Sequence, residues 1–178
     1  MIPGYATAHQ SYAELLSELG RHDEALAEIR LAQQLDPFSL IINVVRADSL
    51  RTAGQNDLAI EQLRKTLDID PNFAHAYFHL GLTQLRKGAF LEAVAEFQRA
   101  VALSPNVTDY KGGLGYAYAR AGKRVEARKL LDELKERSKR VMSRGSISLG
   151  FMRGWRKRIK RSLAWKRRMS SESRDLRS

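Results

Sequence analysis

Proline recurs in this chain with a fixed period. Pro3, Pro37, Pro71 and Pro105 each lie 34 residues after the one before. Three further classes of small residue keep the same step: Gly20, Gly54, Gly88 and Gly122; Ala25, Ala59, Ala93 and Ala127; and Ala13, Ala47, Gly81 and Gly115. One period shared by independent classes of position predicts stacked supersecondary units, each contacting its neighbours, rather than a single globular core.

Each unit is predicted to contain two helices. In the third unit, residues Ala74–Lys87 carry apolar side chains at helical spacing, and Gly88 follows, as glycine does just past a helix end. A second apolar stripe runs over Phe90–Leu103 and stops before Pro105, which cannot continue a helix. Small residues on one face admit a closely crossing helix, and large residues such as Phe97 fill the gap toward the next pair.

The pattern resembles the tetratricopeptide repeat family, whose unit is a 34-residue helix–turn–helix. The matching residues of the third unit are Tyr77, Leu80, Gly81, Gly88, Ala93, Phe97, Ala100 and Pro105. Similar sets recur in the other units, although Lys139 stands where the fourth proline is due. The resemblance implies an all-α fold, a right-handed α-α superhelix of about four helix-turn-helix pairs, at residues 5–37, 38–71, 72–105 and 106–138.

Both ends of the chain depart from the repeat. Because Pro3 belongs to the proline series, residues 1–4 are expected to be the remnant of a preceding repeat, and the chain a fragment of a larger protein; the alternative is an array that begins there. The junctions Leu35-Asp36-Pro37 and Ile69-Asp70-Pro71 resemble those of arrays in bacterial regulatory proteins. Residues 139–178 are expected to form a separate basic tail.

Charge is divided sharply along the chain, whose formal net charge is +11. Residues 137–178 hold 15 lysines and arginines against two acids, a balance of +13, which leaves −2 for residues 1–136. Any attraction to polyanions is therefore expected to belong to the tail.

Three interpretations of the tail remain open. Phe151, Trp155, Ile159 and Leu163 recur every four residues among bases, which predicts a basic amphipathic helix over 150–168 that binds a polyanion or an anionic membrane. Alternatively, a shift of reading frame near Arg140 has replaced a fifth repeat, since codon degeneracy permits repeat signature residues in the original frame. The third interpretation is an unselected, solvated tail.

The resemblance also implies a binding surface, because peptides in this family usually lie along the concave face formed by the first helix of each pair. Residue by residue, the implied positions are Gln10, Glu14, Ser17, Val44, Asp48, Arg51, Phe78, Leu82, Arg86, Gly112, Tyr116 and Arg120. Aromatic side chains there would pack against apolar groups, and the arginines would pair with carboxylates. An ordinary solvated face is the alternative. Gln10, Val44, Phe78 and Gly112 stand where the chaperone-binding subgroup places a lysine, which argues against that activity.

The sequence offers little support for other classes of function. The chain has no cysteine, which excludes disulfides and thiol chemistry, and no catalytic or phosphate-binding constellation stands out. The spacing of His75 and His79 suits a helical metal site, but packing or solvent exposure is the preferred interpretation. Neither a secretory signal nor a membrane span is visible. We therefore expect a cytoplasmic, non-enzymatic scaffold without metal or cofactor, whose partner is a protein or peptide.

Overall fold

The computed structural model describes the backbone of residues 3–144 and the side chains of residues 5–139. The described residues form eight α-helices and no strand. In chain order they are α1 (Pro3–Glu18), α2 (His22–Leu35), α3 (Leu40–Thr52), α4 (Asn56–Ile69), α5 (Ala74–Lys87), α6 (Phe90–Leu103), α7 (Thr108–Arg120) and α8 (Arg124–Arg144). The predicted all-α class is confirmed, and the two helices of the third unit have the predicted bounds.

The helices pack as successive antiparallel pairs. α1 contacts α2, α3 contacts α4 and α5 contacts α6, while the second helix of each of these pairs also contacts the first helix of the next. Neighbouring first helices touch one another as well, from α1 through α3 and α5 to α7. Neighbouring second helices among α2, α4 and α6 make no such contact. The first helices therefore lie on the inner, concave side of this part of the array.

The turn inside each pair depends on a glycine in the left-handed region. Gly88 has φ of 80°, and equivalent glycines in the other three pairs have φ between 77° and 82°. A residue with a Cβ adopts this conformation only at a steric cost. The amide of Gly88 donates to the carbonyl of Leu85 at 3.1 Å, and the amide of Ala89 donates to Gln84 at 3.0 Å. These bonds satisfy carbonyls at the end of α5, as the glycine period predicts.

A single ring fills the junction of α5, α6 and α7. Phe97 is fully buried, and a Cβ added to Gly81 of α5 would lie 2.8 Å from its Cζ. A Cβ added to Gly113 of α7 would lie 2.6 Å from its Cε1. Both distances are far below ordinary contact, so these glycines admit the ring. Gly81 confirms the predicted role of small residues in close packing within a pair.

Asn43 of α3 joins three successive elements through buried hydrogen bonds. Its Nδ2 donates to the carbonyls of Pro37 and Ser39, both at 3.0 Å. Its Oδ1 accepts from Gln33 of α2 at 2.5 Å and from Gln62 of α4 at 3.0 Å. All the hydrogen-bonding capacity of the buried amide is thus used.

Both ends of the described array are helical. Pro3, expected to close a preceding unit, is the first residue of α1, a position that proline tolerates because the first helical N–H has no partner within the helix. α8 runs to Arg144, beyond the expected array end at residue 138. The expected tail helix at 150–168 lies outside the described residues.

Candidate functional site

A cavity of about 320 Å³ opens between α1, α3 and α5, the first helices of three successive pairs. We call it the central cavity. Eight of its ten lining residues carry polar or charged side chains; the lining is Glu14, Ser17, Glu18, Val44, Val45, Asp48, Ser49, Thr52, His75 and His79. The central cavity therefore lies on the concave face on which the predicted binding residues were placed.

Asp48 is the centre of the charge network in the central cavity. Its Oδ1 accepts hydrogen bonds from the Nε and Nη2 of Arg51 at 3.0 and 2.5 Å, and it lies 3.2 Å from the Nδ1 of His79. Burial by itself would raise the pKa of Asp48, but the hydrogen bonds and charges of His79 and Arg51 outweigh it and lower the pKa to about 2. Asp48 is therefore a carboxylate throughout the physiological range.

Aromatic rings form the wall of the concave face on α5. The centroids of His75 and His79 are 4.6 Å apart, and the Phe78 ring lies 5.0 Å from Tyr110 of α7 and 5.6 Å from Phe97. Burial and the neighbouring His79 lower the pKa of His75, so at neutral pH its ring is uncharged. This wall is mainly a packing element that joins the third and fourth pairs.

Four of the six predicted binding residues of the first two pairs line the central cavity: Glu14, Ser17, Val44 and Asp48. Gln10 donates to Glu14 at 3.2 Å on the exposed side of α1. Val44 is only 1% exposed, so its side chain belongs mainly to the core beneath the surface. Arg51 is half-buried and turned toward Asp48, which engages its guanidinium.

The predicted binding residues of the last two pairs lie elsewhere on the first helices. Leu82 is half-buried against the core around Phe97, and Arg86 is exposed. The guanidinium of Arg120 lies 4.4 Å from the centroid of the Phe90 ring, and its Nη1 donates to the hydroxyl of Tyr116 at 2.9 Å. Tyr116 itself is 53% exposed beside α8. The structure thus separates an acidic half of the concave surface from an apolar and basic half.

The three arginines among the predicted binding residues do not share one repeat position. Arg86 and Arg120 are one repeat apart, but the preceding positions of that series are Thr52 and Glu18. Arg51 occupies the neighbouring helical position, about 100° further round the helix axis, where it meets Asp48. This repeat position therefore holds an acid in the first pair, threonine in the second, and arginine in the third and fourth.

Two contributors to the site were missed in the sequence. Glu18 lines the central cavity although it was not among the predicted residues, and the 34-residue spacing from Arg86 and Arg120 was the available signal. The sequence indicates His79 only as a packing or solvent-exposed residue or a metal ligand, whereas its contact with Asp48 crosses between two helix pairs. Repeat periodicity gives no indication of such a contact.

Two other kinds of site are absent from the part of the chain that the structure describes. No helix there is long and apolar enough to cross a membrane. No group of three or more histidine, aspartate or glutamate side chains is arranged to hold a metal ion in the same region. The bases proposed to bind polyanions, Arg153–Arg168, lie outside it, so that alternative stays a prediction.

Comparisons with known protein families match most of the chain. Tetratricopeptide repeat models match residues 6–39, 44–108 and 84–140. Among curated relatives, the small glutamine-rich tetratricopeptide repeat-containing protein 2 of Mycosarcoma maydis is 35% identical over 83 residues, which are 47% of this chain and 24% of the relative. The Hsp70-Hsp90 organizing protein of Triticum aestivum is 29% identical over 98 residues, 55% of this chain and 17% of that protein. The chain thus spans a quarter or less of the length of these relatives.

Solved structures support the same architecture. The crystal structure of MamA superposes with a TM-score of 0.65 at 19% identity and covers 80% of this chain and 83% of its own. The first repeat domain of the protein Spaghetti (RPAP3), bound to the HSP90 peptide SRMEEVD, superposes with a TM-score of 0.59 at 16% identity, covering 68% and 97%. At these identities the similarity establishes the fold alone.

Proposed function

Since this chain belongs to the tetratricopeptide repeat family, we propose that it is a non-enzymatic scaffold that binds a protein or peptide along its concave surface. The observation that carries the proposal is the central cavity, which opens on the first helices of three successive pairs. A cavity continuous over several helices suits an extended segment, which offers successive side chains to successive pairs. The bacterial origin, the cytoplasmic location and membership of a larger regulatory protein remain predictions from the sequence.

The division of charge on the concave surface supports a ligand with charge at both ends. Glu14 and Glu18 are exposed at the edge of the central cavity, and none of the ion pairs found among the described residues engages either carboxylate. Such carboxylates favour a lysine or arginine of the ligand. At the other end, Arg86 is exposed and Arg120 is held between two aromatic rings. A guanidinium whose position is fixed in advance loses less entropy when it binds a carboxylate.

The spacing of the helices sets the length of that ligand. Packed helices lie about 8–10 Å apart, so Glu18 on α1 and Arg120 on α7, three steps apart across the first helices, are separated by about 25–30 Å. An extended peptide covers this distance with about eight residues. We therefore propose a segment with a basic residue, a short apolar stretch for Phe78 and Leu82, and an acidic residue about eight positions from the base.

A peptide selection tests this function. The full chain is immobilised and panned against displayed random dodecapeptides, and the affinities of enriched sequences are measured by fluorescence polarisation. We expect enrichment of peptides with the base, apolar and acid pattern. The HSP90 peptide SRMEEVD serves as a comparison probe, and weak binding is expected because no lysine stands at Gln10, Val44, Phe78 or Gly112.

Charge reversal assigns the binding to the concave surface. Arg86→Glu and Glu18→Lys should each weaken the selected peptide about tenfold. The matched controls are Arg99→Glu on α6 and Asp68→Lys on α4, which are exposed on second helices and should leave the affinity unchanged. Failure to enrich any peptide, or equal losses in the controls, would refute binding along the concave surface.

A further inference from the structure

Large apolar side chains are exposed at both ends of the described helix array, outside the concave surface. On α1, Leu15 is 51% exposed and Leu19 is 62% exposed, and Tyr12 lies beside them. At the other end, Val125 is 80% exposed and Leu131 is 46% exposed. Contiguous exposed apolar surface marks a place where another surface packs.

The internal contact between the third and fourth pairs shows how such surfaces fit together. α7 places Leu114, Ala117 and Ala121 against the core formed by Ala93 and Phe97 of α6. Leu114 and Ala117 are buried by this contact. One first helix thus docks into the groove between the two helices of the preceding pair.

α1 carries the same docking face as α7. Tyr12, Leu15 and Leu19 lie three repeats, or 102 residues, before Leu114, Ala117 and Ala121. Each of the three α1 residues is larger and more exposed than its α7 counterpart. Within the described residues, α1 has no preceding pair on which to place this face.

The fourth pair carries the matching groove. A cavity of about 480 Å³ lies between α7 and α8, and we call it the α7–α8 groove; its lining is Gly112, Gly115, Tyr116, Ala119, Arg124, Ala127, Arg128, Leu131 and Leu134. Gly115, Ala127 and Leu131 lie one repeat after Gly81, Ala93 and Phe97, the residues at the junction that α7 closes. The α7–α8 groove therefore repeats a surface that the chain itself covers with a first helix one pair earlier.

Charges at the two ends are complementary in this register. In the internal interface, the guanidinium of Arg120 lies over the ring of Phe90. In the docked arrangement, α1 takes the place of α7, and the fourth pair takes the place of the third. Glu18 then occupies the position of Arg120, and Arg124 occupies the position of Phe90. An acid thus faces a base.

Shape and apolar character also match at two further positions. Lys87 pairs with Asp57 at 2.5 Å where α5 meets α4, and the same repeat positions at the two ends hold Leu19 and Val125. The tight contact between Gly113 and Phe97 would become one between Ser11 and the smaller Leu131. At the first position an apolar pair, Leu19 and Val125, replaces the polar pair Lys87 and Asp57. At the second, Ser11 is larger than Gly113, and Leu131 is smaller than Phe97.

We infer that the partner of the α7–α8 groove is α1 of a second copy of this chain, docked head to tail in the geometry of the internal repeat interface. Such an interface is heterologous, because it joins two different surfaces and leaves one of each free at the ends of the assembly. Association therefore continues into chains of copies, and their mean length rises with protein concentration.

Two blocked variants test the inference when they are measured alone and mixed. Leu15→Glu blocks the α1 face and Leu131→Glu blocks the α7–α8 groove, and both positions are exposed, so folding should be retained and is checked by circular dichroism. Sedimentation velocity over about a hundredfold range of concentration should show growing oligomers for the parent chain and monomers for each variant. Because each variant keeps one intact surface, an equimolar mixture should form a one-to-one dimer and nothing larger.

A charge exchange tests the register. Glu18→Arg and Arg124→Glu should each weaken association about tenfold, and the double variant should recover it. Leu31→Glu, at a 43% exposed position on α2, is the matched control and should associate like the parent chain. A parent chain that stays monomeric over the whole range, a mixture without a dimer, or a double variant without recovery would overturn the inference.

Discussion

Adjacent glycines in α7 allow the packing account to be tested with two nearly identical substitutions. A Cβ at Gly112 would meet no atom within 4 Å, whereas a Cβ at Gly113 would lie 2.6 Å from Cε1 and 2.9 Å from Cδ1 of Phe97. Both glycines lie inside the helix, so alanine gains the same helix propensity, about 1 kcal/mol, at either position. The difference between the two variants therefore isolates the steric contact.

Phe97 has little room to move away from a new methyl group. Its ring is fully buried, and Gly81 bounds it from α5 at a distance that already excludes a Cβ. Overpacking of a core in this way costs about 1–3 kcal/mol. We expect Gly112→Ala to raise the free energy of unfolding by about 1 kcal/mol, and Gly113→Ala to lower it by up to about 2 kcal/mol after the propensity gain is subtracted.

Urea unfolding followed by far-ultraviolet circular dichroism measures both variants. The substitution Phe97→Leu completes a double-mutant cycle, because a smaller side chain leaves room for the methyl group. Phe97→Leu should destabilise the Gly113→Ala chain less than it destabilises the parent, with a coupling of about 0.5–3 kcal/mol. Equal stabilities of Gly112→Ala and Gly113→Ala, or no coupling to Phe97, would refute the assigned contact.

Three further predictions concern stability. Ala93→Leu should cost about 1–3 kcal/mol because Ala93 is fully buried between helices, whereas Ala95→Leu on the exposed face should change the unfolding free energy by less than about 0.5 kcal/mol. Asn43→Ala should cost about 1–3 kcal/mol, since it removes the hydrogen-bond partner of the buried Gln62 amide and the side-chain donor to the Pro37 carbonyl, and denaturant unfolding measures it. The pKa of Asp48 is about 2 against an ordinary 3.8, so its contribution is complete above about pH 4 and is lost toward pH 2; thermal unfolding of Asp48→Asn should show a smaller loss over that window than the parent chain.

The helices could be predicted from the sequence because their ends are fixed locally. A glycine that must adopt positive φ and a proline that cannot continue a helix act within a few residues of themselves. The bounds of α5 and α6 therefore matched the prediction at both ends. Proline is also compatible with the first position of a helix, so Pro3 alone does not distinguish the end of one helix from the start of the next.

The charge pairs of the candidate site could be predicted only in part. The period assigned Asp48 and Arg86 to the first helices, but it did not show which neighbour each side chain meets. Arg51 illustrates the difference, since a shift of one helical position turned a presumed ligand-binding arginine toward a carboxylate of its own helix. His79 reaches Asp48 from the next pair, and such a contact depends on the packing of two helices that share no local sequence signal.

The end surfaces follow from a different use of the period. A repeat array builds the same interface several times, so the described contact between α6 and α7 specifies which positions meet wherever one pair follows another. The residues at the two ends can then be compared through that contact, although the two ends are far apart in the chain. Had the exposed positions been unselected, acid opposite base and leucine opposite valine would have no reason to coincide in one register. One docking register places Glu18 opposite Arg124 and also Leu19 opposite Val125. The charge exchange at Glu18 and Arg124 tests that register and leaves Leu19 and Val125 unchanged.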